Sequence, residues 1–165
     1  GHITIGAGRP IKHLLTKIND QIDSGEFENN SVLIDLFKKA QKQDRIHFCG
    51  LVSDGGIHSF LPHLFGLQKM AKKFKISQVF IHGFLDGRDV LERSASQYLQ
   101  QIDDQNIGKI TSIGGRFFAM DRDNNWDRVE KSYNVLCYPK SRENFKSWQD
   151  ALANFYKNSD KSDYY

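Results

Sequence analysis

The stretch that decides the fold is Val79-Phe-Ile-His-Gly-Phe-Leu-Asp-Gly-Arg-Asp89, in which a short apolar run ends in a polar, glycine-containing turn. A run of this length, rich in valine, isoleucine and phenylalanine and without helical spacing, is typical of a strand. Residues 46–52 form another such run, which we expect to be a buried strand, and residues 109–113 form a third short strand. We therefore expect three strands with similar polar turns at their carboxyl ends.

Between these strands the apolar residues recur at helical spacing. The pattern predicts helices at 11–22, from an N-cap at Asn30-Ser31 through residue 40, and at 57–74, 94–102, 128–136 and 145–156. Leu14, Val32, Leu36 and Phe145 belong to their apolar stripes. Alternating strands and helices form βαβ units, so we expect a single α/β domain over residues 1–165, with a mainly parallel sheet flanked by helices.

Composition excludes several classes of function. The chain has 23 Lys and Arg against 20 Asp and Glu, a net charge of +3, and these charges are interspersed, so charge gives no case for nucleic acid binding. Cys49 and Cys137 form no CxxC motif, and no run is long enough to span a membrane. We expect a cytoplasmic protein without a membrane partner. Because the sequence opens at Gly1 without methionine, we also expect a piece of a longer polypeptide.

Polar residues follow each predicted strand, at 53–58, 86–89 and 114–116. In a parallel sheet these turns share the carboxyl edge, where open α/β sheets bind ligands. Their glycines allow a close approach of backbone N–H groups, and a helix N-terminus after each turn would favour an anion. Arg88, Arg116 and Arg122 suit bidentate binding of phosphate or carboxylate. The sequence thus predicts a site for a small anionic molecule.

Alternatives stay open at this point. Each Asp-Gly turn is also consistent with ordinary turn chemistry, and each arginine with a surface charge. His58 is either a helix-start histidine or a phosphate contact and proton carrier. Asp89 is either a base held ionised by the charge of Arg88 or the N-cap of the following helix.

No metal site held wholly by this chain is expected. Its histidines and cysteines are scattered without HExxH spacing, and the acidic loop at 121–125 lacks the glycine and closing glutamate of a calcium loop. The Gly6 and Gly8 pair is only half of a dinucleotide fingerprint.

Segments 51–59, 82–90 and 115–131 closely resemble motifs of the cofactor-independent (2,3-bisphosphoglycerate-independent) phosphoglycerate mutases, in that family's order and spacing. Residues 1–9 look like the segment just downstream of its nucleophilic serine. The resemblance covers essentially the whole chain. It implies the inserted transferase domain of an alkaline-phosphatase-superfamily enzyme.

The resemblance also implies a function. Such mutases interconvert 3-phosphoglycerate and 2-phosphoglycerate in glycolysis through a phosphoserine intermediate, without 2,3-bisphosphoglycerate. Their serine and two Mn2+ ions belong to a phosphatase domain of the same polypeptide, which this chain lacks, so we expect it to be inactive alone. Matching by motif, the substrate-binding residues are His58, Arg88, Asp89, Arg116 and Arg122, with Asp89 also the catalytic proton shuttle.

Two other classes of function compete with this interpretation. A stand-alone phosphate- or carboxylate-binding module would bind phosphoglycerate without catalysis. A degenerate structural domain would have Arg88, Asp89 and Arg116 pointing apart.

Overall fold

Three parallel strands form the central sheet of the computed structural model, which describes residues 2–9, 11–138 and 143–165. They are β1 (Arg45–Val52), β2 (Gln78–Leu85) and β3 (Lys109–Gly115), in the order β1-β2-β3. Both neighbouring pairs are parallel, and the register pairs the last residues of β1 and β2 and the last residues of β2 and β3. The expected α/β architecture with a parallel sheet is confirmed, and the strand ends share one edge.

Helices precede, separate and follow the strands. Their bounds are α1 (His2–Ala7), α2 (Leu14–Ser24), α3 (Ser31–Gln43), α4 (Leu61–Lys73), α5 (Ala95–Asp104), α6 (Arg116–Ala119), α7 (Trp126–Cys137) and α8 (Trp148–Asn158), with a 3₁₀ helix at Glu26–Asn29. Of the predicted N-cap pair Asn30-Ser31, Asn30 caps α3, because its Oδ1 accepts from the backbone N–H groups of Val32 and Leu33. The short α1, α6 and 3₁₀ helices were not predicted, since pieces of four to six residues carry too little apolar periodicity.

The core lies between the sheet and its helices. On β1, Ile46 and Phe48 are buried while the alternate residues Arg45, His47 and Cys49 are exposed. Phe37 of α3 packs against Phe48. One face of β1 therefore supports the core and the other contacts solvent, so the expectation of a strand buried on both faces is wrong for β1.

Four apolar residues expected on buried helical faces are exposed instead. They are Leu14, Val32, Leu36 and Phe145. Phe145 also lies outside α8, which begins three residues later at Trp148. Helical spacing predicts which residues share a side of the helix. Whether each of these residues is buried depends on how far the neighbouring elements extend over that side.

Gly1, which opens the segment likened to the region after a nucleophilic serine, lies outside the described residues. Within the described ranges, no helix has the length and apolar character needed to cross a membrane.

Candidate functional site

The turns after the three strands meet at the carboxyl edge of the sheet, and their side chains contact one another there. Ser53 Oγ, from the first turn, donates to Oδ2 of Asp86 in the second turn at 2.6 Å. The expected third turn, 114–116, is instead the end of β3 and the first residue of α6, and that residue, Arg116, donates through Nη1 to Oδ1 of Asp86 at 2.7 Å. The convergence predicted from parallel topology is confirmed, and Asp86 is the residue that links the turns.

Asp86 was not singled out from the sequence, although it stands directly after the strand. Its side chain is 1% exposed. Besides Ser53 and Arg116, its carboxylate accepts the backbone N–H groups of Arg88 at 3.2 Å and Asp89 at 2.9 Å. Burial raises the pKa of Asp86, but the hydrogen bonds it accepts and the charge of Arg116 outweigh burial and hold that pKa below its ordinary value of 3.8.

Arg116 joins Asp86 to Asp89. Its Nη1 donates to Oδ2 of Asp89 at 2.6 Å as well as to Asp86, and its side chain is 7% exposed against 20% for Asp89. Burial lowers the pKa of Arg116, but its hydrogen bonds to the two carboxylates raise that pKa by more. Asp89 and Arg116 therefore point together, whereas the degenerate-domain alternative has Arg88, Asp89 and Arg116 all pointing apart. Asp89 is the more accessible of the two acids.

The helices after the turns do not all begin where we expected. Only α6 starts directly after its strand, at Arg116, whereas α4 starts at Leu61 and α5 at Ala95. The N-cap residue of α5 is Ser94, so the interpretation of Asp89 as an N-cap is wrong. The second turn instead folds around the carboxylate of Asp86, which accepts the N–H groups that follow it.

The first turn lies against Asp89. A Cβ atom placed on Gly55 would come 3.0 Å from Cβ of Asp89. Tyr98 of α5 donates its hydroxyl to Oδ1 of Asp54 at 2.7 Å, and burial followed by this hydrogen bond raises the pKa of Tyr98 to about 12. His58, farther along the turn, is exposed and makes no hydrogen bond or ion pair with other described residues.

The two outer arginines are exposed. Arg88 donates through Nη1 to the hydroxyl of Tyr164 at 3.4 Å, and its guanidinium carbon lies 5.9 Å from the centre of that ring. Arg122 makes no hydrogen bond or ion pair within the described ranges. The loop that carries it is fixed by Asp121, whose carboxylate accepts from two backbone N–H groups, the side chain of Asn125 and Arg128. The structure thus packs Asp89 and Arg116 together, places Arg88 against Tyr164, and leaves Arg88, Arg122 and His58 exposed to solvent.

Residues 162–165, here called the strap, close over the strand ends. Asp163 is buried and accepts the backbone N–H of Ala95, at the start of α5, at 2.9 Å and the hydroxyl of Tyr156. The carbonyl oxygen of Tyr164 accepts the backbone N–H of Phe117 at 2.8 Å. Sequence reasoning missed the strap, because its partners lie far away in the chain and it has no helical or strand periodicity.

The strap packs against two glycines of the strand ends. We expected glycines in the turns to admit a ligand, but Gly87 and Gly115 lie against the strap. A Cβ on Gly87 would come 2.6 Å from the backbone nitrogen of Tyr164, and one on Gly115 would overlap the backbone of Tyr164 and Tyr165. Gly87 also has φ +54, where side chains are strained. In this structure both glycines make room for protein backbone.

The acidic residues of this edge are poorly suited to hold a metal ion. Asp86 and Asp89 are paired with Arg116, and Asp54 accepts from Tyr98. In the described part of the chain, no group of three or more His, Cys, Asp or Glu side chains is placed to bind a metal. The chemistry open to these residues is anion binding and proton transfer.

Comparisons with known proteins agree on one family. The family model described as the BPG-independent PGAM N-terminus matches residues 18–165. Proteins named 2,3-bisphosphoglycerate-independent phosphoglycerate mutase from Staphylococcus saprophyticus and Staphylococcus epidermidis are each 45% identical over 141 residues, which is 82% of this chain and 28% of theirs.

A solved structure agrees in fold. The crystal structure of Leishmania mexicana phosphoglycerate mutase at low cobalt concentration superposes with a TM-score of 0.81 at 27% identity, covering 92% of this chain and 30% of that one. The chain therefore spans less than a third of the length of these relatives.

Proposed function

This chain belongs to the family of BPG-independent phosphoglycerate mutase N-terminal domains, and we propose that it holds the glycerate and phosphate groups of 2- and 3-phosphoglycerate during their interconversion. The remainder of the mutase, a phosphatase domain on the same polypeptide, would supply the nucleophilic serine and the metal. By family resemblance that metal is two Mn2+ ions, which would neutralise charge on the phosphoryl group.

The observation that carries the proposal is the Asp89–Arg116 pair at the strand ends, in which Arg116 is buried and Asp89 is partly exposed. A substrate with a phosphate and a carboxylate needs several cations and one proton carrier at a single place. Arg116 and Arg88 lie on neighbouring turns, with Arg122 and His58 exposed on adjoining loops. We assign Arg88, Arg116, Arg122 and His58 to binding the anionic groups, because guanidinium groups bind phosphate and carboxylate bidentately.

Asp89 is assigned the proton transfers. Its carboxylate accepts from Arg116 Nη1 at 2.6 Å and can take a proton from an attacking hydroxyl. A bound anion can draw Arg116 away from Asp89, and the carboxyl can then return the proton to a leaving alkoxide. One carboxyl group can therefore serve both hydroxyls of glycerate.

We also propose a glycolytic role in the cytoplasm. Cys49 and Cys137 are free and exposed, which suits a reducing compartment.

The test replaces the matching segment of the Staphylococcus epidermidis relative with this chain and measures the mutase turnover of the resulting chimera. We expect the unmodified chimera to be active, and Arg88→Ala or Asp89→Asn to lower kcat/KM by about 100-fold or more. Arg45→Ala and Asp35→Asn, exposed residues of β1 and α3, are matched controls that should leave turnover unchanged.

A folded but inactive chimera would contradict the assignment, as would near-normal turnover of either site variant. If the isolated chain binds 3-phosphoglycerate tightly by calorimetry while the site variants keep their turnover, the stand-alone binding module is favoured instead.

A further inference from the structure

Asp86 occupies a place in the site that neither the proposed substrate contacts nor the proton transfers explain. Its side chain is 1% exposed, so a substrate reaching the edge of the sheet does not touch it. Yet it contacts the first turn through Ser53, the second through two backbone N–H groups and the third through Arg116. Loss of its charge would change the geometry of all three turns at once.

The pairing of Arg116 with its two acids is asymmetric. One nitrogen, Nη1, donates to the buried Asp86 at 2.7 Å and to the more exposed Asp89 at 2.6 Å. A guanidinium has five N–H donors, and these two bonds use only those on Nη1. Because Asp89 is more exposed than Asp86, an anion arriving from solvent reaches Asp89 first and competes with it for Arg116.

The charges indicate which of the two hydrogen bonds of Arg116 is lost when a substrate anion binds. Two carboxylates share one guanidinium, so this cluster carries a net charge of −1 before substrate binds. A substrate anion replacing Asp89 at the guanidinium keeps Arg116 paired on both sides. Displacing Asp86 would instead leave a buried carboxylate without its cation, which is far more costly.

We infer that Asp86 is a positioning residue, which anchors Arg116 and the backbone of the second turn so that Arg116 can exchange Asp89 for an anionic group of the substrate without leaving the site. The inference rests on the proposed function, since it names what keeps that site assembled. It also predicts behaviour of the unliganded chain, which can be measured apart from catalysis.

The first measurement uses this chain alone. We expect the side-chain ¹⁵N signals of Arg116 to show hindered rotation of the guanidinium, because two carboxylates hold one nitrogen. Asp89→Asn should retain hindered rotation, whereas Asp86→Asn should abolish it. Ser53→Ala removes from Asp86 the hydrogen bond of an uncharged donor and should give an intermediate rotation rate. This milder variant provides the test if Asp86→Asn does not fold.

The second measurement uses the chimera. Asp86→Asn should raise the KM for 3-phosphoglycerate by about tenfold or more, because the arginine that binds the anion is misplaced. A purely structural role would reduce the fraction of folded enzyme, which lowers apparent kcat and leaves KM unchanged. Asp103→Asn is the matched control, since Asp103 accepts a hydrogen bond from Trp148 away from the strand-end turns.

The inference is overturned if Asp86→Asn keeps the hindered rotation, if Asp89→Asn abolishes it equally, or if KM is unchanged in folded Asp86→Asn enzyme. If the rotation behaves as expected while Asp89→Asn leaves turnover intact, the anchoring of Arg116 stands and the proposed mutase function fails.

Discussion

Replacing Gly115 with alanine tests whether the strap closes over the strand ends as the structure shows. The backbone of Gly115 has φ −71 and ψ 147, which alanine adopts without strain. The added Cβ would, however, overlap the backbone of Tyr164 and Tyr165. The substitution is therefore a steric perturbation aimed at the strap.

The cost follows from the contacts that the strap would lose. The backbone N–H of Phe117 would lose the carbonyl of Tyr164 at 2.8 Å, at about 1–3 kcal/mol. The ring of Phe117 would lose Tyr165, whose centroid lies 4.6 Å away, at about 0.5–1.5 kcal/mol. We expect a loss of about 2–4 kcal/mol in the free energy of unfolding, or about 5–15 °C in Tm for a chain of this size.

Gly114→Ala is the matched control, because a Cβ at Gly114 has nothing within 4 Å. Both variants would be compared by thermal unfolding and by hydrogen exchange of the Phe117 N–H, which should lose its protection only in Gly115→Ala. Equal Tm values for the two variants, with Phe117 still protected in both, would refute the described position of the strap.

Two further predictions concern the stability of the chain. Asn30→Ala removes the cap of α3 and should lower the free energy of unfolding in urea by about 1 kcal/mol, whereas Asn29→Ala, which removes no cap, should change it little. Because its pKa is lowered on folding, ionised Asp86 contributes stability above its ordinary pKa of 3.8, and this contribution is lost as the pH falls through the lower folded value. The stability difference between the wild type and Asp86→Asn should thus be constant near neutral pH and shrink in acid; a difference that grows in acid would contradict the lowered pKa.

Much of the fold could be predicted from local patterns. Runs at 46–52, 79–85 and 109–113 correspond to β1, β2 and β3 within two residues at each end, because short runs rich in apolar residues without helical spacing favour strands. The pair Asn30-Ser31 marked the start of α3, and the side chain of Asn30 caps the helix from within the same turn. Such signals lie within a few residues of the structure they specify.

The coverage of helical faces could not be predicted in the same way. Leu14 and Phe145 carried the right spacing, yet they are 76% and 41% exposed. Spacing is a property of one helix, whereas burial requires a second element of sufficient reach on that side.

For the site, the sequence alone determined that the three polar turns share one edge, because parallel strands joined by crossovers must end together. Only the tertiary structure decided what that edge contains. Asp86 joins residues 33 and 30 positions away, and Asp163 caps a helix 68 positions away. Bonds over such distances depend on how the elements pack, so no local pattern distinguishes an acid that anchors an arginine from one that faces a substrate.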